Sequence, residues 1–245
     1  MTFLEGVILV AAGGAAGFIN ALAGGGSAIT IPILTEMVGI NTANGTNRIA
    51  IFLANLTAIA GYQKGEAVPW RRLSVLLVPT VVGAAVGAWV STVTPPDVLR
   101  MVFAGVLLLV AASVVLRPSR WLKERDIALH EPWRSLVFLG IGFYGGFVQA
   151  GVGFLLLAGL VLGAGMNLVN GNAAKVVLIA AYSPIAILLF ANAAQVDIAV
   201  GVVLAGGQMS GAWVGSRLAV LKGAAWIRWV LVAAAVAAAA RLALA

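Results

Sequence analysis

The chain has 245 residues, of which 62% are hydrophobic and only 9% are charged, and its formal net charge at pH 7 is +7. A soluble domain carries about 25% charged residues, so water is not the main solvent of this chain. The excess of 15 basic over 8 acidic residues does not indicate a nucleic-acid partner, because most basic residues lie in loops or at segment ends, as in membrane proteins. The chain has no cysteine, which excludes disulfides and thiolate metal ligands.

Several uncharged apolar runs are long enough to cross a lipid bilayer as helices. Leu73–Val93, Val176–Ala194 and Ile198–Ser216 approach or reach the roughly 20 residues that a spanning helix needs. The runs are continuous rather than alternating, which favours helices over a β-barrel. Met1–Val10 holds no basic residue, so the start is predicted to be a retained membrane segment rather than a secretory signal. The predicted fold class is an all-α polytopic membrane protein.

The first segment, from about Phe3 to Met37, is predicted to be broken. Gly24-Gly25-Gly26 and the following Pro32 divide it into two parts, at 3–23 and 27–38, because glycine and proline both weaken a helix. Spans follow at about 45–62, 73–93 and 98–116. Beyond a polar connector, a second broken segment at 135–150 and 154–166 is interrupted at Gly151-Val152-Gly153. The last three spans are predicted at 172–192, 197–217 and 224–244.

The chain also repeats itself. Gly17-Phe18-Ile19-Asn20-Ala21 returns as Gly146-Phe147-Val148-Gln149-Ala150, and Asn44-Gly45-Thr46-Asn47-Arg48 returns as Asn170-Gly171-Asn172-Ala173-Ala174-Lys175. Gly83, Gly87 and Arg100 recur 128 positions later as Gly211, Gly215 and Arg228. We therefore predict a first transmembrane repeat at 1–116, a cytoplasmic connector at 117–134 and a second transmembrane repeat at 135–245. Each repeat would be a broken helical hairpin plus three transmembrane helices.

The basic residues favour an inverted arrangement of the two repeats. If each broken segment returns to the side from which it enters, 12 of the 15 Lys and Arg residues lie on the connector side. If each broken segment crosses once, the repeats are parallel and only nine lie there. Lys and Arg concentrate on the cytoplasmic side, so inversion is predicted, with both termini outside. Whether the broken segments are re-entrant or fully spanning hairpins stays open.

The two breaks are predicted to bind an anion. Non-helical backbone at membrane depth occurs only where it is buried in protein or lines a cavity, and a new helix N-terminus presents free N–H groups and positive partial charge. Close helix packing is the alternative role for membrane glycines, and it is favoured for Gly83, Gly87, Gly211 and Gly215. The candidate site residues at the breaks are Gly24, Gly25, Gly26, Ser27, Gly151 and Gly153.

A cation follows each Asn-Gly motif. Arg48 comes four residues after Asn44, and Lys175 comes five after Asn170, with no carboxylate in either predicted span. A basic residue at the bilayer centre costs about 2.5–3.5 kcal/mol, so these cations would need a reason to lie there, and facing an anionic substrate is one. The alternatives are that the cations snorkel to the membrane surface and that the asparagines are plain helix N-caps. The candidates here are Asn44, Thr46, Asn47, Arg48, Asn170, Asn172 and Lys175, with Asn20 and Gln149 before the breaks and Thr30, Tyr182 and Ser183 as weaker ones.

Other chemistry is not visible in the sequence. Acidic residues lie near the ends of the predicted spans, and His130, the only histidine, lies in the connector. A proton relay of carboxylates and histidines, a metal site, a P-loop and a nucleophile with its base are all missing. We therefore predict neither an enzyme nor a cofactor, and an intramembrane enzyme is disfavoured because the spans lack His, Cys and Asp.

The order of the motifs resembles the sulfite exporter TauE/SafE family of bacterial membrane permeases. Gly17-Phe18, then Gly24-Gly25-Gly26, Pro32 and Asn44-Gly45-Thr46-Asn47, carry the resemblance, and Gly65–Trp70 resembles the family's short turn after the second span. The resemblance extends over nearly the whole chain. It implies export, or sometimes uptake, of a small anion such as sulfite, sulfoacetate or a related organosulfonate across the bacterial inner membrane.

The leading hypothesis is a secondary transporter that exports a small anion. The anion would bind at the broken helices between two repeats that rock to alternate access. An anion channel and an uptake permease for a small carboxylate are the alternatives. The predicted partners are the anionic substrate and the lipid bilayer, with no nucleic acid. A coupling proton or other ion and a homo-oligomer stay open.

Overall fold

A computed structural model describes the backbone of residues 2–102, 104–105 and 129–243, and the side chains of these residues up to 230 except residue 228. Within these ranges every regular element is a helix. Most of the predicted span at 98–116 and most of the predicted connector at 117–134 lie outside the described residues. The same holds for most side chains of the last predicted span, at 224–244.

The described helices follow the predicted order. The first half contains α1 (Phe3–Leu22), α2 (Ser27–Val38), α3 (Ile40–Gln63) and α4 (Trp70–Val93), and residues 96–102 are also helical. The second half contains α5 (Trp133–Phe147), α6 (Val152–Ala158), a π-helical turn (Gly159–Gly163), α7 (Leu168–Asn192) and α8 (Ile198–Ala243). Gly223 interrupts α8, since its φ of 69° and ψ of −166° are not helical.

Both predicted breaks are present, but two helices start earlier than predicted. Gly39, at φ 76°, ends α2 and leads directly into α3 at Ile40, so Asn44 lies inside the helix and not at its N-cap. Helix α7 starts at Leu168, where the Asn167 side chain is the N-cap and accepts a hydrogen bond from the Asn170 N–H at 2.8 Å. The N-capping explanation of Asn44 and Asn170 is therefore wrong.

The surface of the molecule is apolar and its interior contains polar side chains. Within the part of the chain that the structure describes, four helices are long and apolar enough to cross a membrane, namely α1, α4, α7 and the Ile198–Ile227 part of α8. Trp89 is 59% exposed and Leu188 is 63% exposed, as expected for side chains that face lipid. Helix α3 is as long as α4, but it carries several polar residues, which are buried. A bilayer favours this distribution because polar groups there need protein partners.

Helix α1 packs most extensively on α8, and α4 on α5. Gly14 contacts Gly211 and Phe18 contacts Gly215, so α1 and α8 run parallel. Thr80 contacts Gly142 and Ala84 contacts Gly146, so α4 and α5 also run parallel. A Cβ atom added at Gly211 would lie 1.9 Å from the Gly14 carbonyl oxygen, and one at Gly146 would lie 2.0 Å from that of Ala84. These glycines allow contact between helix backbones, as predicted for Gly83, Gly87, Gly211 and Gly215.

The packing corrects the register of the repeat. Gly83 lies against the carbonyl of Leu139, and Gly207 lies against the carbonyl of Val10 in the same way. The counterpart of Gly83 by contact is therefore Gly207, one helical turn before the predicted Gly211. Regularly spaced small residues allow either alignment in the sequence, and only the contacts distinguish them.

The remaining directions follow from contacts of α3. The Thr46 side chain accepts a hydrogen bond from the Asp197 N–H, and Gly61 contacts Ser216, so α3 runs parallel to α8. Gly45 contacts Phe190, whereas Tyr62, at the other end of α3, shares a carbonyl with Lys175, so α3 and α7 are antiparallel. Asn41 bonds Thr94 and Asn44 bonds Ser91, so α3 and α4 are antiparallel as well. Helices α1, α3 and α8 thus run in one direction, and α4, α5 and α7 run in the other.

Candidate functional site

The two helix breaks touch each other in the buried interior. A Cβ atom added at Gly24 would lie 2.4 Å from the Cα atom of Gly153. Gly24 has φ 90° and Gly151 has φ 75°, a left-handed conformation that glycine adopts without steric cost. The close approach and the backbone conformation together explain why glycine occupies these positions.

The breaks leave backbone donors free. The N–H groups of Gly25, Gly26 and Gly151 have no hydrogen-bond acceptor among the described residues. The N-cap of α2 is Gly26, which has no side chain to bond the first N–H groups of that helix. A helix N-terminus carries positive partial charge, so the first break presents donors suited to an anion.

Arg48 is fully buried and lies against the C-terminal end of α5. Its Nη1 donates to the Gly145 carbonyl at 3.2 Å, and its Nη2 donates to the Gly146 carbonyl and, at 3.3 Å, to Asn44 Oδ1. Its guanidinium carbon lies 4.6 Å from the centre of the Phe190 ring, a cation–π distance. Snorkelling to the membrane surface, the alternative considered from the sequence, is wrong because Arg48 is 0% exposed.

Lys175 makes the corresponding contact with the C-terminal end of α1. Its Nζ donates to the Asn20 carbonyl at 2.7 Å, to the Ala21 carbonyl at 3.3 Å and to Asn172 Oδ1 at 2.6 Å. Lys175 is also 0% exposed, so it does not snorkel either. Carbonyls at a helix C-terminus carry negative partial charge, which partly compensates each buried cation.

Neither buried cation has a carboxylate partner among the described residues. The ion pairs described are Arg100 with Asp97 and Arg134 with Glu131, and all four side chains are at least partly exposed. Hydrogen bonds from Ser135 and from Arg134 lower the pKa of Glu131, which lies before α5. The interior of the described structure therefore holds two basic side chains whose hydrogen-bond partners are all neutral acceptors.

A second group of polar side chains surrounds Asn47. Thr30 donates to Asn47 Oδ1 at 2.8 Å, Asn47 Nδ2 donates to Ser27 Oγ at 3.3 Å, and Gln208 Nε2 lies 3.4 Å from Asn47 Oδ1. All four residues are at most 4% exposed. These hydrogen bonds join α2, α3 and α8 next to the first break.

Gln149 has a buried amide without a partner. It is 2% exposed, and neither its Oε1 nor its Nε2 has a hydrogen-bond partner among the described residues. It also has φ 64°, which is uncommon for a residue other than glycine. Leaving a buried amide unpaired costs about 1–3 kcal/mol, and a strained residue with unpaired polar atoms is typical of a functional site. Asn20, its counterpart in the first repeat, is 6% exposed.

Two predicted residues lie apart from this site. Thr46 bonds the start of α8 through Asp197, and Asn170 belongs to the N-terminal turn of α7. Of the weaker candidates, Ser183 donates within its own helix to Ile179, and the Tyr182 hydroxyl has no partner among the described residues. The described residues contain no group of side chains suited to a metal ion.

The sequence did not point to three residues that bond the site. Gln208 is a polar residue in an apolar run, a signal that could have identified it. Tyr62 donates to the Ala21 carbonyl at 2.9 Å, and Tyr144 donates to the Ala150 carbonyl. Both tyrosines lie in apolar segments where an aromatic residue gives no indication of its partner, so the sequence held no signal for them.

Comparison with known proteins agrees with a transport role. A protein named probable membrane transporter protein ORF9, from Sinorhizobium sp, is 32% identical over 93% of this chain and 88% of its own length. The probable membrane transporter protein YfcA of Escherichia coli K12 is 30% identical over 89% of this chain and 81% of its own length. No solved structure matches.

A family model also matches this chain. The model described as sulfite exporter TauE/SafE matches residues 9–242, nearly the whole chain. Together with the two relatives, it shows that the chain is a membrane transporter and, as the motif order indicated, that it belongs to the sulfite exporter TauE/SafE family.

Proposed function

We propose that this protein is a secondary transporter that exports a small anion across the bacterial inner membrane, with sulfite, sulfoacetate or a related organosulfonate as the substrate. One observation carries the proposal. Arg48 and Lys175 are both fully buried beside the crossing of two broken helices, and no carboxylate among the described residues pairs with either. Buried charge of one sign is costly, and a substrate of the opposite sign would compensate it.

The groups around the crossing suit an oxyanion in particular. Arg48 and Lys175 are donors only, and Gly25, Gly26 and Gly151 supply free backbone N–H groups. A charged oxygen accepts roughly twice as strong a hydrogen bond as a neutral carbonyl. A sulfite or sulfonate group has three oxygens that could each accept from a different donor.

An inverted repeat accounts for the arrangement of the helices. Helices α1, α3 and α8 run against α4, α5 and α7, so α1, α3 and α4 are antiparallel to their counterparts α5, α7 and α8. Arg48 of the first half bonds the end of α5, and Lys175 of the second half bonds the end of α1. Inverted repeats with broken helices at the centre are typical of secondary transporters.

Burial at the crossing favours a carrier over an anion channel. Asn20, Ser27, Asn47, Gln149 and Asn172 are all at most 6% exposed, so this conformation is closed around the site. An anion can reach such a site only after a conformational change, as alternating access in a carrier requires.

Thermal unfolding of the purified protein tests the substrate. Sulfite and sulfoacetate are expected to raise the melting temperature in a saturable way, because a ligand that binds only the folded state stabilises it. Chloride controls for ionic strength, taurine for a sulfonate without net charge, and acetate for a simple carboxylate. Shifts of equal size with chloride and with the sulfur anions would contradict the proposal, and a selective shift with acetate would replace sulfur anions by carboxylates.

Gln149→Leu is expected to separate binding from stability. Removing an unpaired buried amide should leave the melting temperature of the ligand-free protein unchanged or raise it by about 2–4 °C. The affinity for the anion should fall roughly tenfold, because one hydrogen bond to a charged ligand is lost. Melting curves with and without the anion measure both effects.

Gln208→Leu is the matched control for this prediction. Gln208 is also a buried glutamine whose Oε1 has no partner among the described residues, but its Nε2 donates to Asn47, so its loss should lower the melting temperature. If Gln149→Leu destabilises the protein as much as Gln208→Leu and keeps the anion affinity, Gln149 is a structural residue.

A further inference from the structure

The helices form two bundles that do not coincide with the two sequence repeats. The first bundle contains α1, α2, α3 and α8, and the second contains α4, α5, α6 and α7, although α7 packs on α3 of the first bundle as well as on α4 of its own. Helix α8 of the second repeat packs on α1 and α3 of the first, and α5 of the second repeat packs on α4 of the first. Each bundle therefore contains helices of both repeats.

Backbone contacts hold each bundle together. Cβ atoms added at Gly17 and Gly87 would lie 2.1 and 1.9 Å from the carbonyl oxygens of Gln208 and Phe143. These contacts join α1 to α8 and α4 to α5, across the boundary between the sequence repeats. Closely packed interfaces of this kind have discrete arrangements and do not deform continuously, so moving the repeats apart as rigid units would break these contacts.

The boundary between the two bundles contains the site. Helices α3 and α7 provide most of the contact there, and Arg48 and Lys175 lie on these two helices. Arg48 in the first bundle bonds the α5 carbonyls of the second, and Lys175 in the second bundle bonds the α1 carbonyls of the first. Gly24 and Gly153 touch across the same boundary, at a central position where a rocking motion would displace atoms least.

We infer that the moving units of transport are these two mixed bundles, and that Arg48 and Lys175 are latches between them that the anion releases. The inference rests on the proposed function. The latches hold neutral carbonyls with partial charge, whereas a bound oxyanion carries full charge and accepts stronger hydrogen bonds from the same donors. When the anion takes these donors, the contacts across the boundary are lost and the bundles can rock about the central glycine contact.

Two engineered disulfides distinguish the bundles from the repeats, and the natural lack of cysteine makes the background clean. Gly61→Cys with Ser216→Cys joins α3 to α8, within one bundle but between the two repeats. The added Cβ of Gly61 would lie 2.9 Å from the Ser216 Cβ, slightly closer than the 3.5–4.5 Å of a usual disulfide. Asn41→Cys with Thr94→Cys joins α3 to the end of α4, between the bundles but within one repeat, where the Asn41 amide donates to the Thr94 carbonyl at 3.3 Å.

The measurement is sulfite counterflow into proteoliposomes, for each variant oxidised and then reduced. The inference expects the Asn41–Thr94 cross-link to lower the rate at least about tenfold and reduction to restore it, while the Gly61–Ser216 cross-link changes the rate less than about twofold. The opposite pattern would show that the sequence repeats move as units. Equal inhibition by both cross-links, or by neither, would also overturn the inference.

Two controls are needed to interpret the result. Asn44→Cys with Ser91→Cys, side chains that are hydrogen-bonded at 3.1 Å across the same boundary, replaces the Asn41 pair if that pair does not fold or does not oxidise, and the same drop on oxidation is expected. The unmodified protein in the same vesicles tests the proposed function separately. If it transports no sulfur anion, the proposed function fails, whereas if it does and the cross-links give the wrong pattern, only the bundle inference fails.

Discussion

Replacing Arg48 with glutamine is expected to lower the rate of sulfite counterflow at least about 100-fold while most of the protein still folds. Glutamine cannot donate to Gly145, Gly146 and a bound anion as the guanidinium does, and it carries no charge. Two lost hydrogen bonds of a charged group correspond to about 3–6 kcal/mol, which exceeds the 2.7 kcal/mol of a 100-fold change.

The stability of the Arg48→Gln variant should change much less than its transport. Unpaired carbonyls at Gly145 and Gly146 destabilise the folded state by about 1–3 kcal/mol each, but the cost of burying an unneutralised cation disappears at the same time. Arg48→Lys keeps the charge and loses the second donor arm, so we expect an intermediate transport rate from it.

Arg100→Gln is the control for Arg48→Gln. Arg100 pairs with Asp97 at a side chain that is 61% exposed, and such surface pairs contribute little, so neither transport nor melting temperature should change. Transport rates and melting temperatures are measured on the same preparations. If Arg48→Gln reduces the folded yield as much as the transport rate, Arg48 holds α5 in place and does not meet the anion.

The sequence predicted the parts of this fold that depend on local composition. The Gly24–Gly26 and Gly151 breaks follow from the conformational freedom of glycine, and the spans follow from runs of apolar residues. Burial of Arg48 and Lys175 was one of two alternatives, because a cation near a helix end can also snorkel. Only tertiary contacts distinguish the two, and here both cations bond the C-terminal carbonyls of a distant helix.

Other features could not have been derived from the sequence. The start of α3 at Ile40 depends on the positive φ of Gly39, which brings Asn44 and Arg48 into the body of the helix. The packing of α8 on α1 and of α5 on α4, across the boundary between the repeats, depends on which row of glycines contacts which helix. Gly83 and Gly87 are four residues apart, as are Gly207 and Gly211, so periodicity gives the packing faces but not the partner.

Substituting alanine for Gly24 is expected to destabilise the fold strongly, because this glycine combines a close backbone contact with a positive φ. The new Cβ would lie 2.4 Å from the backbone of Gly153, and the residue must keep φ 90°. Left-handed strain at a non-glycine residue costs about 1–3 kcal/mol, and overpacking adds about 1–3 kcal/mol. A loss of this size is a large share of the stability of a typical protein.

Gly206→Ala is the matched control for Gly24→Ala, because an added Cβ at Gly206 meets no atom within 4 Å. It should melt like the unmodified protein, whereas Gly24→Ala should melt at least about 4 °C lower, both measured by thermal unfolding in detergent. Gly153→Ala forces the same contact apart from the other side. The double variant should therefore lose less stability than the sum of the losses in the two single variants. Strictly additive losses would mean that the two breaks do not share one contact. A Gly24→Ala protein that melts with the control would show that the breaks are not packed against each other, and the central position of the anion site would then have no support.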